Sequence, residues 1–238
     1  MKKRQRIKLA KRRARCLQER RKVRDGLAFV DMPCLVRKRT AGSVVVGAEP
    51  PPVQAEIYRS ELEYVLRCIL ERPDIETGGE LFGFWKDDGT PVVTYAIGPG
   101  PKANHEYAFF NQDIDYLSNV GATLTGKFGL EHIGEWHSHH RLGLACPSGH
   151  DAATIAHGMA AHRRNRFLLC IGTCPERSAR LGGFVFQHGS GEEFSHVEWH
   201  VFGVESPFRR AIDGDPELAG IIVHPMSMED IRHGKTAL

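Results

Sequence analysis

The sequence predicts a mixed α/β domain, and three observations carry that prediction. Leu62, Val65, Leu66, Ile69 and Leu70 recur at the i, i+3, i+4, i+7, i+8 spacing of an amphipathic helix. Runs such as ELFGFW, PVVTYAI and RFLLCIG are apolar and rich in β-branched and aromatic residues, as strands are. Helical and strand patterns follow one another without the regular alternation of a doubly wound fold.

Taken in order, residues 1–42 form a basic N-terminal arm, and 43–53 combine a β-rich stretch, SVVVG, with a Pro-rich linker. The three prolines of EPPPV can continue neither a helix nor a central strand, so the domain is expected to run from 54 to 205. Its first helix spans about 55–71 and is ended by Pro73. ELFGFW and PVVTYAI then pair across KDDGT as a hairpin, and 111–127 supplies a second helix. LEHIGEWH reads as a buried strand, and the Gly/Pro-containing stretch from Arg141 to Pro147 as a loop. DAATIAHGMAAH is helical, with Ser148 as N-cap and Asp151 in the first turn. RFLLCIG, RLGGFVFQ and HVEWHVFG are further strands, and 206–238 is a C-terminal extension without a readable motif.

With 238 residues, 41% of them hydrophobic, the chain can bury a real core and is not a disordered protein. Six cysteines are too few and too irregularly spaced for a disulfide framework, and Cys170 and Cys174 read as core and strand end. The sequence shows no apolar leader core and no run near the roughly 18 apolar residues of a membrane span, so a cytoplasmic location is expected. The net charge of +3 hides an asymmetry. Residues 1–25 hold 13 Lys/Arg against Glu19 and Asp25, an excess of 11, while the remaining 19 basic and 27 acidic residues leave the rest at −8. Such an arm could release counterions from a nucleic acid or an acidic partner, or be a solvated tail.

The chemistry gathers in IGEWHSHHRLGLACPSGHD, residues 133–151. On an extended strand alternate side chains share a face, so His137 and His139 can aim two imidazoles at one metal while Ser138 and His140 point away. Asp151, at a helix start across the loop, can supply a third ligand. Two His and one Asp leave a fourth position for water, as catalytic zinc sites do, and zinc lowers the pKa of that water to about 7. A base must come from elsewhere. Glu76, Glu80 and Glu135 compete for that role, and Glu135 shares the strand face of His137.

HSH at 137–139, followed by Ser148-Gly-His-Asp151 and preceded by ETGGELFG at 76–83, resembles the JAB/MPN (JAMM) zinc metalloproteases, in particular their bacterial branch. The resemblance covers roughly residues 55–200. It implies a cytidine-deaminase-like architecture, a central mixed or antiparallel sheet flanked by helices. It implies Zn²⁺ held by His137, His139 and Asp151, with Glu76 as general acid/base and Ser148 as the donor that stabilises the tetrahedral oxyanion. It also implies the substrate: the C-terminal tail of a ubiquitin-like protein, matured or released from its conjugates, with conjugation-system enzymes as partners. The position within ETGG favours Glu76 over its two competitors. One departure stands out. The spacer between the second His and Ser is eight residues, HRLGLACP, where the family commonly has seven beginning with Pro. A glycine-containing loop can absorb the extra residue. The alternative expectation is an inactive scaffold of the same type whose arm binds nucleic acid or an acidic partner.

Overall fold

The structure is a computed structural model that describes residues 52–106, 110–140, 144–175 and 178–233. The basic arm, the SVVVG stretch, the linker up to residue 51 and the first residues of the loop at 141–143 lie outside the described residues. β1 (Val53–Tyr58), α1 (Arg59–Glu71), β2 (Gly78–Trp85) and β3 (Pro91–Ala96) come first. Two short strands, β4 (Asn104–His105) and β5 (Phe110–Asn111), pair with each other. Then follow α2 (Ile114–Phe128), β6 (Glu131–Ser138), α3 (Gly149–Ala161), β7 (Arg166–Thr173), β8 (Arg180–Gln187) and β9 (Phe194–Phe202). Two short helices, α4 (Arg209–Asp213) and α5 (Met228–Arg232), complete the order.

Seven strands close into a barrel in the order β1-β3-β2-β6-β7-β8-β9, with β9 returning to β1. This overturns the expected cytidine-deaminase-like arrangement, a central mixed or antiparallel sheet flanked by helices. The strand responsible is β1, whose residues 55–58 fall inside the stretch expected to begin the first helix. Ala55, Ile57 and Tyr58 are buried while Gln54 is exposed, a pattern that suits a strand as well as a first helical turn. Long-range pairing decides between them. β1 runs parallel to β9 from Val53↔Val197 to Tyr58↔Phe202 and parallel to β3 at Glu56↔Val92, so the helix can start only at Arg59.

The expected hairpin forms: β2 and β3 are antiparallel, turned through Gly89 at φ +89°, with Asp88 Oδ1 accepting from Thr90 N at 3.0 Å. α1 lays Leu62, Val65, Cys68 and Ile69 against Ile57, Leu81, Ile133, Trp136 and Leu168. α2 packs Tyr116, Val120 and Leu124 against Phe82, Tyr95 and Ile97, and α3 packs Ala152, Ile155 and Met159 against Phe167, Leu169 and Ile171. The segment after residue 205 adds Phe208, Ile212, Leu218 and Ile222 to the α2 cluster.

A bulge shapes the sheet beside the site. Leu81 faces Gly134 but Phe82 faces His132, so Ile133 is an extra residue on β6. Ile133 therefore joins Trp136 in the core, and His132 turns to the face of Glu135, where its Nε2 meets Glu80 Oε2.

Candidate metal centre

β6, α3 and β7 form a parallel crossover unit, registered from Gly134↔Leu168 to Ser138↔Gly172. Its strand ends and the start of α3 meet at one place, where the free N–H groups and dipole of a helix N-terminus favour a carboxylate. His137 and His139 arrive from the end of β6. Asp151 arrives from the first turn of α3, as the third residue of a capping box: Asp151 N donates to Ser148 Oγ at 3.1 Å and Ser148 N donates to Asp151 Oδ2 at 2.6 Å.

The three side chains converge. His137 Nε2 and His139 Nε2 are 3.1 Å apart, and Asp151 places Oδ1 3.5 Å from the first and Oδ2 3.5 Å from the second. All their ligand atoms lie within 4.8 Å of one another, close enough to hold a metal ion. His139 Nδ1 contacts the Leu144 carbonyl at 2.8 Å. A carbonyl only accepts, so Nδ1 carries a proton, which leaves Nε2 as the atom facing Asp151 in the metal-free chain and the atom that would face an ion. Burial alone would raise the Asp151 pKa, but hydrogen bonds from His137 and His139 hold it well below the usual carboxylate range. For His139 the balance runs the other way. Burial lowers it, and the stronger combined pull of Asp151, the Leu144 carbonyl and Glu76 raises it.

Glu76 lies half-buried just before β2, and its charge reaches His139. Glu135 does share the face of His137, and burial, with Glu80 opposite on β2, pushes its pKa up to about 7. Glu80 is held by His132, whose Nδ1 and carbonyl are contacted by Arg164 Nη1 at 2.7 and 3.3 Å. Ser148 is exposed, and its oxygen serves as the cap acceptor while its own proton stays available to donate. Ser138 points away from the cluster and is fully buried, its Oγ accepting from Thr77 N at 3.2 Å. Neither the buried His140, which sits at φ +32°, nor the exposed His150 belongs to the three-residue cluster. Sequence reasoning missed the Leu144 carbonyl, because a backbone acceptor leaves no mark in residue identity.

No family model matches the chain. Over 98 residues it is 30% identical to a protein of Sinorhizobium fredii named "Probable metalloprotease y4qB", a match covering 40% of this chain and 59% of that protein. The chain thus spans less than two thirds of the length of that relative. The solution structure of protein DSY2949 from Desulfitobacterium hafniense aligns with a TM-score of 0.49 at 16% identity, covering 63% of this chain and 94% of the other. Among the described residues no helix is long and apolar enough to cross a membrane.

Proposed function

We propose that this chain is a zinc-dependent peptidase or isopeptidase of JAB/MPN type chemistry, working in the cytoplasm on the C-terminal tail of a ubiquitin-like protein. The observation that carries the proposal is the convergence of two imidazole nitrogens and one carboxylate at the end of β6, with a further carboxylate, Glu76, within electrostatic reach. Two His and one Asp suit zinc, and the set leaves a coordination position free for chemistry. The similarity to a protein named as a metalloprotease points the same way.

In this reading His137, His139 and Asp151 would hold the ion, which would supply Lewis-acid polarisation of the scissile carbonyl and activation of a water. Glu76 takes the proton from the attacking water and returns it to the leaving amine. Ser148, whose oxygen is tied to the helix N-terminus, turns its hydroxyl proton toward the developing oxyanion. A substrate tail would lie extended, read through its backbone as an added strand. Each of the seven barrel strands has two neighbours, whereas the separate two-stranded β4–β5 sheet presents an outer edge along which such a strand could align.

The test is metal analysis joined to cleavage. Purified full-length chain is expected to carry about one zinc, lost in His137→Ala. The loaded chain should cut linear or branched ubiquitin-like substrates, and Glu76→Gln should lower the rate by roughly 10²- to 10⁴-fold while keeping the metal. A zinc-loaded chain inert on every such substrate would end the substrate assignment. An Glu76→Gln variant with wild-type rates would end the mechanism. The scaffold alternative, in which the arm binds nucleic acid, predicts no need for metal.

A further inference from the structure

Glu76 precedes β2 and belongs to no regular element, yet its backbone is held on both sides. Its N–H donates to the Glu106 carbonyl at 3.0 Å, and its own carbonyl accepts from His105 Nδ1 at 2.9 Å. One residue on, Thr77 is bracketed by Ser138: Thr77 N donates to Ser138 Oγ at 3.2 Å, and Ser138 N donates to the Thr77 carbonyl at 2.8 Å. The strand that carries the histidine ligands and the outlying β4 thus grip adjacent peptide units from opposite directions.

We infer that His105 is a positioning residue for Glu76, fixing its peptide against the metal cluster through the Nδ1–H bond. The inference rests on the metallopeptidase reading above. Two further observations support it. First, burial, with Arg72 nearby, outweighs the opposing pull of the Glu76 carbonyl and lowers the His105 pKa, which favours a neutral ring. Because a carbonyl only accepts, the proton on Nδ1 is the one that bonds Glu76. Second, the His105 ring packs 5.2 Å from that of Phe110, and Phe110 lies so close over Gly78 that a Cβ there would stand 2.7 Å from its Cε1. His105, Phe110 and the start of β2 therefore form one packed unit, and the Glu76 backbone, from which its carboxylate is projected, is tied to that unit. Freeing the peptide by as little as an ångström would blunt a proton transfer that depends on hydrogen-bond distance.

The test uses full-length zinc-loaded chain and ubiquitin carrying a fluorogenic amide on its C-terminal carboxyl. His105→Phe keeps a ring against Phe110 but cannot donate, and His105→Asn offers an amide donor at about the place of Nδ1. We expect His105→Phe to lower kcat roughly 10- to 100-fold with KM, zinc content and melting midpoint unchanged. His105→Asn should recover most of that loss. The imidazole ¹⁵N spectrum of the full-length chain should show His105 neutral and protonated at Nδ1. Wild-type kcat in His105→Phe, an Asn variant no better than the Phe variant, a loss explained by zinc or stability, or a ring protonated at Nε2 would each overturn the role. Glu76→Gln run alongside separates the two failures. If it stays active, the Glu76 mechanism falls and the role of His105 with it; if the wild-type chain leaves the probe uncut, the ubiquitin-tail assignment falls and the ¹⁵N spectrum alone decides the His105 bond. If it is inactive beside a fully active His105→Phe, only the role of His105 falls.

Discussion

Asp151 belongs at once to a helix start and to the candidate metal cluster, and if that cluster holds zinc as proposed two substitutions should separate these duties. Ser148→Ala removes the cap acceptor of α3 and should cost about 1 kcal/mol in chemical denaturation while zinc remains bound. Asp151→Asn leaves an amide oxygen for the Ser148 N–H but removes the charge that the two imidazoles face, so zinc should be lost with only a modest change in apo-protein stability. Acid should do the same reversibly. Protons and metal compete for the Nε2 atoms, and Asp151, held well below the usual range, stays ionised throughout. Since the His139 pKa is raised in the metal-free chain, the apparent zinc affinity should weaken progressively as pH falls below that raised value and be independent of His139 protonation above it, which a metal-indicator titration measures. At this scale much was legible. His137 and His139 share a face because a strand alternates, and Asp151 follows at a helix start that Ser148 announces. His105 was not legible, because its partner is a backbone carbonyl 29 positions away and no motif encodes such a bond.

Among the elements, the contact between β6 and β7 leaves no room for a side chain. A Cβ on Gly134 would stand 1.9 Å from the Leu168 carbonyl oxygen, and backbone cannot step aside as a flexible side chain can. Gly134→Ala should therefore destabilise at or beyond the roughly 3 kcal/mol upper end of ordinary overpacking, measured by denaturant melts. Gly126→Ala makes the contrast: nothing lies within 4 Å of the added methyl in α2, and helix propensity alone should stabilise by a few tenths to about 1 kcal/mol. The hairpin, both long helices after it and the four later strands could be read from period and turn chemistry. β1 could not, because AEIY fits both periods and the residues that decide, Val197 to Phe202, lie some 140 positions downstream. The bulge at Ile133 was equally hidden, since alternation along β6 alone puts Ile133 beside Glu135.

For the whole molecule, the segment after residue 205 is tied in by a buried charge. Arg209 pairs with Glu61 on α1, while its guanidinium lies 4.7 Å from the Tyr64 ring centre and 4.1 Å from that of Tyr95. Glu61 is fully buried; burial pushes its pKa up and Arg209 draws it back. Arg209→Leu strands that carboxylate and should cost about 3–5 kcal/mol. Glu61→Gln combined with Arg209→Leu should cost less than the two changes summed, which a double-mutant cycle in urea measures. Residues 206–238 carry no motif, so nothing in their sequence foretold this tether. Barrel closure has one more consequence. A sheet with loose margins invites its copies to zip together into fibres, whereas here β1 plugs the gap between β3 and β9 and leaves those margins no lateral seam. Any change that dislodged β1, such as a proline at Glu56, would turn a sealed wall into two sticky borders and should show itself as turbidity well before the rest of the chain melts.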